Sequence, residues 1–246
     1  MKSGRSAILT YHSLDDSGSV ISVAPRTFRE QMSLLADSGI SVVPLEKIRE
    51  NPGAVALTFD DGFRNFLAHA FPVLREKGFP CTVFVVSGFC GDYNRWPSQP
   101  AAPRVPSLPL MSWKELREIS GQGVALGSHT VTHPKMAGLS AAEVERELSS
   151  SQSAIEDAAG EPVKAFAYPY GESTPAVREA VRKRFKIACG VKLAYVSAGS
   201  DDVDLPRLDA YYLQNRVWFQ GLDAGYGAAY IAARRSLREL RSAWNR

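Results

Sequence analysis

Along the chain, short apolar and β-branched runs alternate with longer stretches in which apolar residues recur every three or four positions. Ala7–Tyr11 and Val55–Phe59 read as strands, and residues 81–86 (CTVFVV) form a continuous β-branched and aromatic run suited to a strand buried on both faces. Residues 124–127, 165–168 and 186–189 are further short strands. Between them, Pro25–Ser38 carries Phe28, Met32, Leu34 and Leu35 at helical spacing, residues 64–77 form a helical segment closed by Gly78, and residues 113–122 follow Ser112 as an N-cap. Ser140-Ala141-Ala142-Glu143 is a capping box opening a helix to about Ala159, and residues 174–184 are the next helix.

Strands separated by helices of this length imply a parallel sheet with crossover helices. Six or seven such units in about 210 residues favour a closed or nearly closed β/α barrel over an open doubly wound sheet. No G-x-G-x-x-G follows any strand, which also weighs against a dinucleotide fold. Residues 95–109 interrupt the pattern with five of the fifteen prolines, too many for a regular element. So long a loop in a compact domain is usually functional or mobile. With no repeat, low-complexity tract or linker, residues 1–246 read as one domain.

The last helical pattern, at about 223–244, places Tyr226, Tyr230, Ala233, Leu237, Leu240 and Trp244 on one face. Arg234, Arg235, Arg238 and Arg241 crowd the remainder, opposed only by Glu239. Such a helix suits either packing on the barrel with a solvated basic face, or peripheral contact with a membrane surface or a lipid-linked glycan.

The composition, 45% apolar and 22% charged over 246 residues, is that of a globular protein with a sizeable core. A net charge of +3 is too slight to imply nucleic acid. Cys81, Cys90 and Cys189 form no CxxC pair and read as reduced thiols. The basic N-terminus is followed only by Ala7-Ile8-Leu9, short of the ~7–15 apolar residues of a secretory segment, and no run approaches the ~18 of a membrane span. The expectation from the sequence as it stands is a cytoplasmic protein.

Candidate chemistry lies just past the ends of three strands. Thr58-Phe59-Asp60-Asp61-Gly62 sets two carboxylates side by side, so that one can bind a metal while its neighbour handles a proton; Asp-Gly is also a common turn pair. Ser128-His129-Thr130-Val131-Thr132-His133 holds two of only four histidines, four apart, the spacing that chelates zinc on a helical turn. Phe166-Ala167-Tyr168-Pro169-Tyr170-Gly171 is a strand stopping at a Pro-aromatic-Gly turn. Two histidines and an aspartate leave a fourth position open, as catalytic zinc sites require, and barrel active sites lie at the C-terminal strand ends. Zinc suits this set first; nickel, cobalt and iron(II) suit it too.

TFDDG, SHTVTH and FAYPYG, in this order, resemble the first three motifs of the polysaccharide deacetylases, the NodB-homology carbohydrate esterases, over about residues 7–207. The resemblance implies a distorted (β/α)7, TIM-like barrel and hydrolysis of N- or O-acetyl groups on sugars. It also implies Asp61, His129 and His133 as metal ligands, Asp60 as general base and the Tyr170 backbone N–H as oxyanion donor. The family's arginine in the third motif is replaced by Ala167, and no histidine follows His133 to serve as the usual late general acid. His12, in Leu9-Thr10-Tyr11-His12, resembles the N-terminal Tyr-His acid of the poly-N-acetylglucosamine deacetylase subgroup. Leu205-Pro206-Arg207 resembles a late segment of that subgroup, with Arg207 in place of the missing arginine. Asp204 is a weaker candidate for orienting His12, and His69 reads as structural.

Pro169, Tyr168, Tyr170, Trp96 and Trp113 are candidates for lining a sugar subsite. The activity so implied is N-deacetylation of N-acetylglucosamine-containing polysaccharide or its precursor. The alternatives are an O-acetyl esterase, a deformylase of a lipid-linked amino sugar, or a weakly active carbohydrate-binding relative.

Overall fold

The computed structural model describes residues 4–99 and 105–244, with side chains as far as residue 240. Seven strands close a barrel: β1 (Ala7–Tyr11), β2 (Val55–Phe59), β3 (Cys81–Val85), β4 (Val124–Ser128), β5 (Ala165–Ala167), β6 (Ile187–Leu193) and β7 (Leu205–Asp209). Each pairs in parallel with the next in sequence, and β7 returns to β1 through Leu9↔Leu208 and Thr10↔Asp209. This is the seven-stranded barrel that the alternating pattern and the family resemblance imply.

The seventh strand carries no strand signal in the sequence, because Pro206 lacks the N–H that a central strand donates. It is accommodated where the β6–β7 ladder is irregular, between the pairs Cys189↔Leu205 and Leu193↔Arg207. β6 also runs to Leu193, beyond the expected stop at Cys189.

Strand periodicity divides the core in two. Leu9, Tyr11, Leu57, Phe59, Val83, Val85, Phe166 and Leu208 face outward into the layer under the helices. Ile8, Ala56, Phe84, Ala165, Ala167, Ile187, Cys189 and Leu205 cluster separately in the barrel. Each fully buried side chain of this size contributes about 1.5–3 kcal/mol. The barrel is filled below the site by Phe84, and β4 passes it only because residue 127 is glycine. A Cβ there would lie 2.5 Å from the Phe84 ring.

The helices are α1 (Pro25–Ser38), α2 (Asn65–His69), α3 (Phe71–Lys77), α4 (Trp113–Ile119), α5 (Ala141–Ala159), α6 (Pro175–Arg182), α7 (Arg216–Gln220) and α8 (Gly225–Trp244). The single segment expected over 64–77 is therefore two helices. Pro72, near the start of α3, has no N–H to continue a helix from α2. α4 ends three residues early, where Ser120 turns extended and Gly121 takes φ 75°. The capping box of Ser140 with Glu143 forms, and the Ser112 N-cap proves to be a second one, with Glu115. The cysteines are free thiols. Among the described residues no helix is long and apolar enough to cross a membrane. Pro100, Pro103 and the side chains of Arg241 and Trp244 lie outside the described residues.

Candidate active site

The inward register of the strands, carried to their C-terminal ends, builds the site. Above the interior apolar cluster lie Thr10 and Thr58, whose hydroxyls are 3.2 Å apart. One further inward step reaches His12 just past β1 and Asp60 just past β2, as the step beyond Gly127 reaches His129 just past β4. Asp60 and His129 still belong to the ladders: the Asp60 N–H donates to the Tyr11 carbonyl and the His129 N–H to the Val85 carbonyl, both at 2.9 Å. His12, Asp60, Asp61, His129, His133, Tyr170 and Arg207 all line one cavity of about 160 Å³ at the mouth of the barrel.

Among the described residues, four non-glycine residues take positive φ, and all four are in the candidate motifs: Asp61 (71°), Thr130 (70°), His133 (54°) and Tyr170 (58°). Such conformations cost of order 1–3 kcal/mol each and persist where the surroundings over-determine them. At Asp61 the left-handed turn continues into Gly62 at φ 78° and separates the adjacent carboxylates, Asp60 toward Arg207 and Asp61 toward the histidines.

The two histidines do not meet on a helical turn, as their spacing suggested. Residues 129–133 form a loop whose left-handed residues, Thr130 and His133, fold the second imidazole back toward the first. The rings end 4.8 Å apart. Thr130 braces this loop, its hydroxyl accepting from the His133 N–H at 3.0 Å and donating to the His129 carbonyl. Glu147, on α5, clamps it from outside: one carboxylate oxygen accepts the N–H groups of Val131 (2.7 Å) and Thr132 (3.0 Å), the other the Thr132 hydroxyl (2.7 Å). Nothing in the local sequence marks Glu147, since the two elements meet only in the fold.

Asp61 Oδ1 lies 3.5 Å from His129 Nε2 and 3.4 Å from His133 Nε2. It is buried and has no hydrogen-bond donor. An orphaned anionic oxygen between two imidazole nitrogens is what a cation site requires. Ligand bonds of ~2.0–2.2 Å in tetrahedral geometry set neighbouring ligands about 3.3–3.6 Å apart; the two Asp61 distances match this, and the three ligand atoms all lie within 4.8 Å of one another. The tautomer is also set: His129 Nδ1 is 2.7 Å from the Ala167 carbonyl, so it carries the proton and leaves the Nε2 lone pair facing Asp61. Burial, reinforced by His133, pushes the His129 imidazole down to about 4 and keeps it neutral. Trp96 covers the other histidine, its ring 4.3 Å from that of His133. The Ser98 hydroxyl donates to the His133 carbonyl, and the Tyr170 phenol donates to the Ser98 carbonyl at 3.0 Å. The start of the proline-rich loop is thereby a wall of the site.

Asp60 is gripped from the opposite side. Arg207 Nη1 and Nη2 donate to its two carboxylate oxygens, each at 2.7 Å, with both side chains almost fully buried. The guanidinium is anchored in turn by the Gly190 carbonyl, 3.0 Å from Nε. Burial alone would raise the Asp60 pKa, yet the Arg207 charge, with His12 and His129 behind it, holds the carboxyl far below the ordinary range. His12 Nε2 stands 3.8 Å from Asp60 Oδ2, and its side chain is 24% exposed, so it faces the cavity rather than the packed core.

Some expected residues sit elsewhere. Asp204 lies beside Arg178, 3.9 Å away, while the carboxylates within electrostatic reach of His12 are Asp60, Asp61 and, at the end of β7, Asp209. Burial raises the Asp209 pKa, against the pull of His12. Tyr168 is among the residues lining the cavity, but its ring is buried against Phe166 and its hydroxyl donates to the Val203 carbonyl at 2.7 Å. Trp113 opens α4 beside Gly88 and Val131, behind the histidine loop and outside the cavity. Pro169 is buried and sets the turn that presents Tyr170. His69, half-buried at the end of α2, is not among the residues lining the cavity.

The sequence profile of the polysaccharide deacetylases matches residues 47–184, more than half of the chain and all three motif segments. The chain belongs to the polysaccharide deacetylase family. Its sequence is 23% identical over 190 residues to YxkH of Bacillus subtilis (strain 168), covering 74% of this chain and 62% of that one. It is 28% identical over 141 residues to the poly-beta-1,6-N-acetyl-D-glucosamine N-deacetylase of Escherichia coli (strain K12), covering 50% of this chain and 20% of that one. The chain thus spans less than two thirds of YxkH and a fifth of the E. coli protein. Its fold matches the structure of IcaB from Ammonifex degensii with a TM-score of 0.72 and 24% identity, over 88% of this chain and 97% of that one. Within this barrel, Arg207 reaches Asp60 from β7, where the third motif offers only Ala167.

Proposed function

We propose that this chain, as a single domain, is a metal-dependent N-deacetylase of N-acetylglucosamine-containing polysaccharide or its precursor. The observation that carries the reading is the pairing of two unlike carboxylates: Asp60 locked to Arg207, and Asp61 orphaned between two imidazoles. Asp61, His129 and His133 would hold the metal, with zinc the first choice. When bound, it supplies Lewis-acid polarisation of the acyl carbonyl and acidifies a water.

The remaining roles fall to the protein. Arg207 keeps Asp60 ionised and oriented, and each carboxylate oxygen retains a second lone pair. Asp60 takes a proton from the water as its oxygen attacks the acyl carbon. The Tyr170 N–H, presented by the left-handed turn, donates to the oxyanion. As the C–N bond breaks, His12 protonates the departing nitrogen, giving acetate and a free amine.

The test is acetate release from N-acetylglucosamine oligomers before and after chelation, with wild type and His12→Gln. An amine needs a proton to leave, so His12→Gln should lose about 10²–10⁴-fold on the amide and much less on an activated O-acetyl ester. Release that survives complete metal removal, or a His12→Gln enzyme with full amide activity, would overturn the proposal. The same assay with O-acetylated and N-formylated sugars separates the esterase and deformylase readings. Absence of turnover on every substrate would favour a binding protein.

A further inference from the structure

Six large apolar side chains are exposed among the described residues, and four lie on the last two helices: Val217 (56%), Tyr226 (48%), Leu237 (50%) and Leu240 (66%). On α8 they belong to a stripe of exposed positions, Tyr226, Ala229, Ala233, Leu237 and Leu240, spaced three or four apart. This reverses the packing expected for the helix, which set its apolar face on the barrel and its arginines in water. The buried side instead carries Gly227 and Ile231, and Arg234, Arg235 and Arg238 are half-buried.

The reason lies in how the helix is fastened. The Tyr230 hydroxyl donates to the Tyr212 carbonyl at 2.8 Å, its ring stacks on Trp218 at 4.2 Å, and the Arg234 guanidinium lies 5.1 Å over the Tyr212 ring. Tyr212 belongs to the turn Ala210–Leu213 that follows β7, at the mouth of the barrel. These contacts rotate the leucines outward. The Tyr226 hydroxyl donates to the Val217 carbonyl at 3.3 Å, which joins the α7 and α8 parts of the apolar surface.

We infer that this face of α7 and α8 docks on an anionic lipid bilayer, lying in its plane beside the mouth of the cavity. Charge argues for a bilayer over a second copy of the chain. Arg234 borders the stripe, and Arg241 repeats that position one heptad on in the sequence. Beyond the opposite border, past Ser236, stands one acid, Glu239, against the four arginines of the helix, too few to meet those of a facing copy. The stripe from Tyr226 to Leu240 also spans only about two heptads, short of the three or four that sustain a coiled coil. An anionic surface accepts both features: apolar side chains enter the headgroup boundary, and long arginine stems carry their charges to the phosphates.

The test is sedimentation of the full chain with phosphatidylcholine vesicles, with and without phosphatidylglycerol. Wild type should pellet only with the anionic vesicles. Leu237→Ser with Leu240→Ser should weaken binding more than tenfold. Arg241→Gln should weaken it about fivefold, and added salt should weaken it too. Circular dichroism, and acetate release from a soluble oligomer, should match wild type in the leucine variant. Docking is thereby scored separately from folding and from the proposed activity. Failure of wild type to pellet, or leucine variants that pellet equally, would overturn the inference. So would a concentration-dependent dimer in analytical ultracentrifugation that Leu237→Ser with Leu240→Ser abolishes, since the face would then belong to a second copy.

Discussion

Arg207→Met is the perturbation that most exposes the logic of the site. The substitution keeps an apolar stem of similar length and removes the guanidinium whose two nitrogens hold Asp60 at 2.7 Å. Both residues are almost fully buried, so water cannot replace the lost partner. Removing one member of a buried pair costs about 3–5 kcal/mol if the other stays charged. At ~2–4 °C per kcal/mol for a chain of this size, the melting temperature should fall by about 6–20 °C. Asp60 has an escape, which is to take up a proton. Burial pushes its carboxyl upward, and only the neighbouring positive charges hold it down. Proton uptake limits the loss of stability but removes the base, so the acidic limb of the acetate-release profile should move to higher pH. The assay is a pair of measurements, thermal melts and pH–rate profiles, on Arg207→Met, Asp60→Asn and the double variant. Once Asp60 is neutral the arginine has lost its partner, so the double variant should be less destabilised than the two single losses summed. A melting temperature within about 2 °C of wild type together with an unmoved acidic limb would refute the reasoning.

Two further outcomes follow from the histidine loop. Glu147→Gln keeps the shape of the clamp but replaces the anionic acceptor of the Val131 and Thr132 N–H groups; metal affinity should fall about 10–100-fold, and unchanged affinity in a calorimetric titration would remove Glu147 from the site's support. In metal-free protein, His129 holds its proton only below about 4, against 6.5 for an ordinary imidazole, so the unfolded chain binds the extra proton between those values. Its contribution to stability is therefore complete above pH 6.5 and is lost as pH falls toward 4, by up to about 1.4 kcal/mol per pH unit; urea melts of the chelated protein should show this slope, and His129→Gln should flatten it.

Much of the fold was legible because its signals are local. Strand and helix alternate with the right periods, the N-caps stand where helices begin, and the three motif segments fall at strand ends. What was not legible depends on contacts between distant segments. Pro206 concealed β7, and with it the placement of Asp209, because its suitability depends on an irregular ladder with β6; Arg207 was legible only through the family resemblance. The histidine pair was recognisable by spacing, yet its geometry comes from left-handed residues at Thr130 and His133, which no helical pattern announces. Tyr168 and Trp113 were singled out as aromatics near motifs. Alternation along the strand sends the Tyr168 ring outward into the core, and Trp113 lies behind the histidine loop. The outward turn of α8 is a consequence of Tyr212 and Trp218, residues outside the helix.

The account turns on a division of labour between adjacent carboxylates, Asp61 for the metal and Asp60 for the proton. The direct test is to measure bound metal and acetate release together on Asp60→Asn. The account predicts wild-type metal content, one ion per chain, with turnover of N-acetylglucosamine oligomers abolished. A variant that still releases acetate at the wild-type rate, or that loses its metal along with its activity, would contradict it.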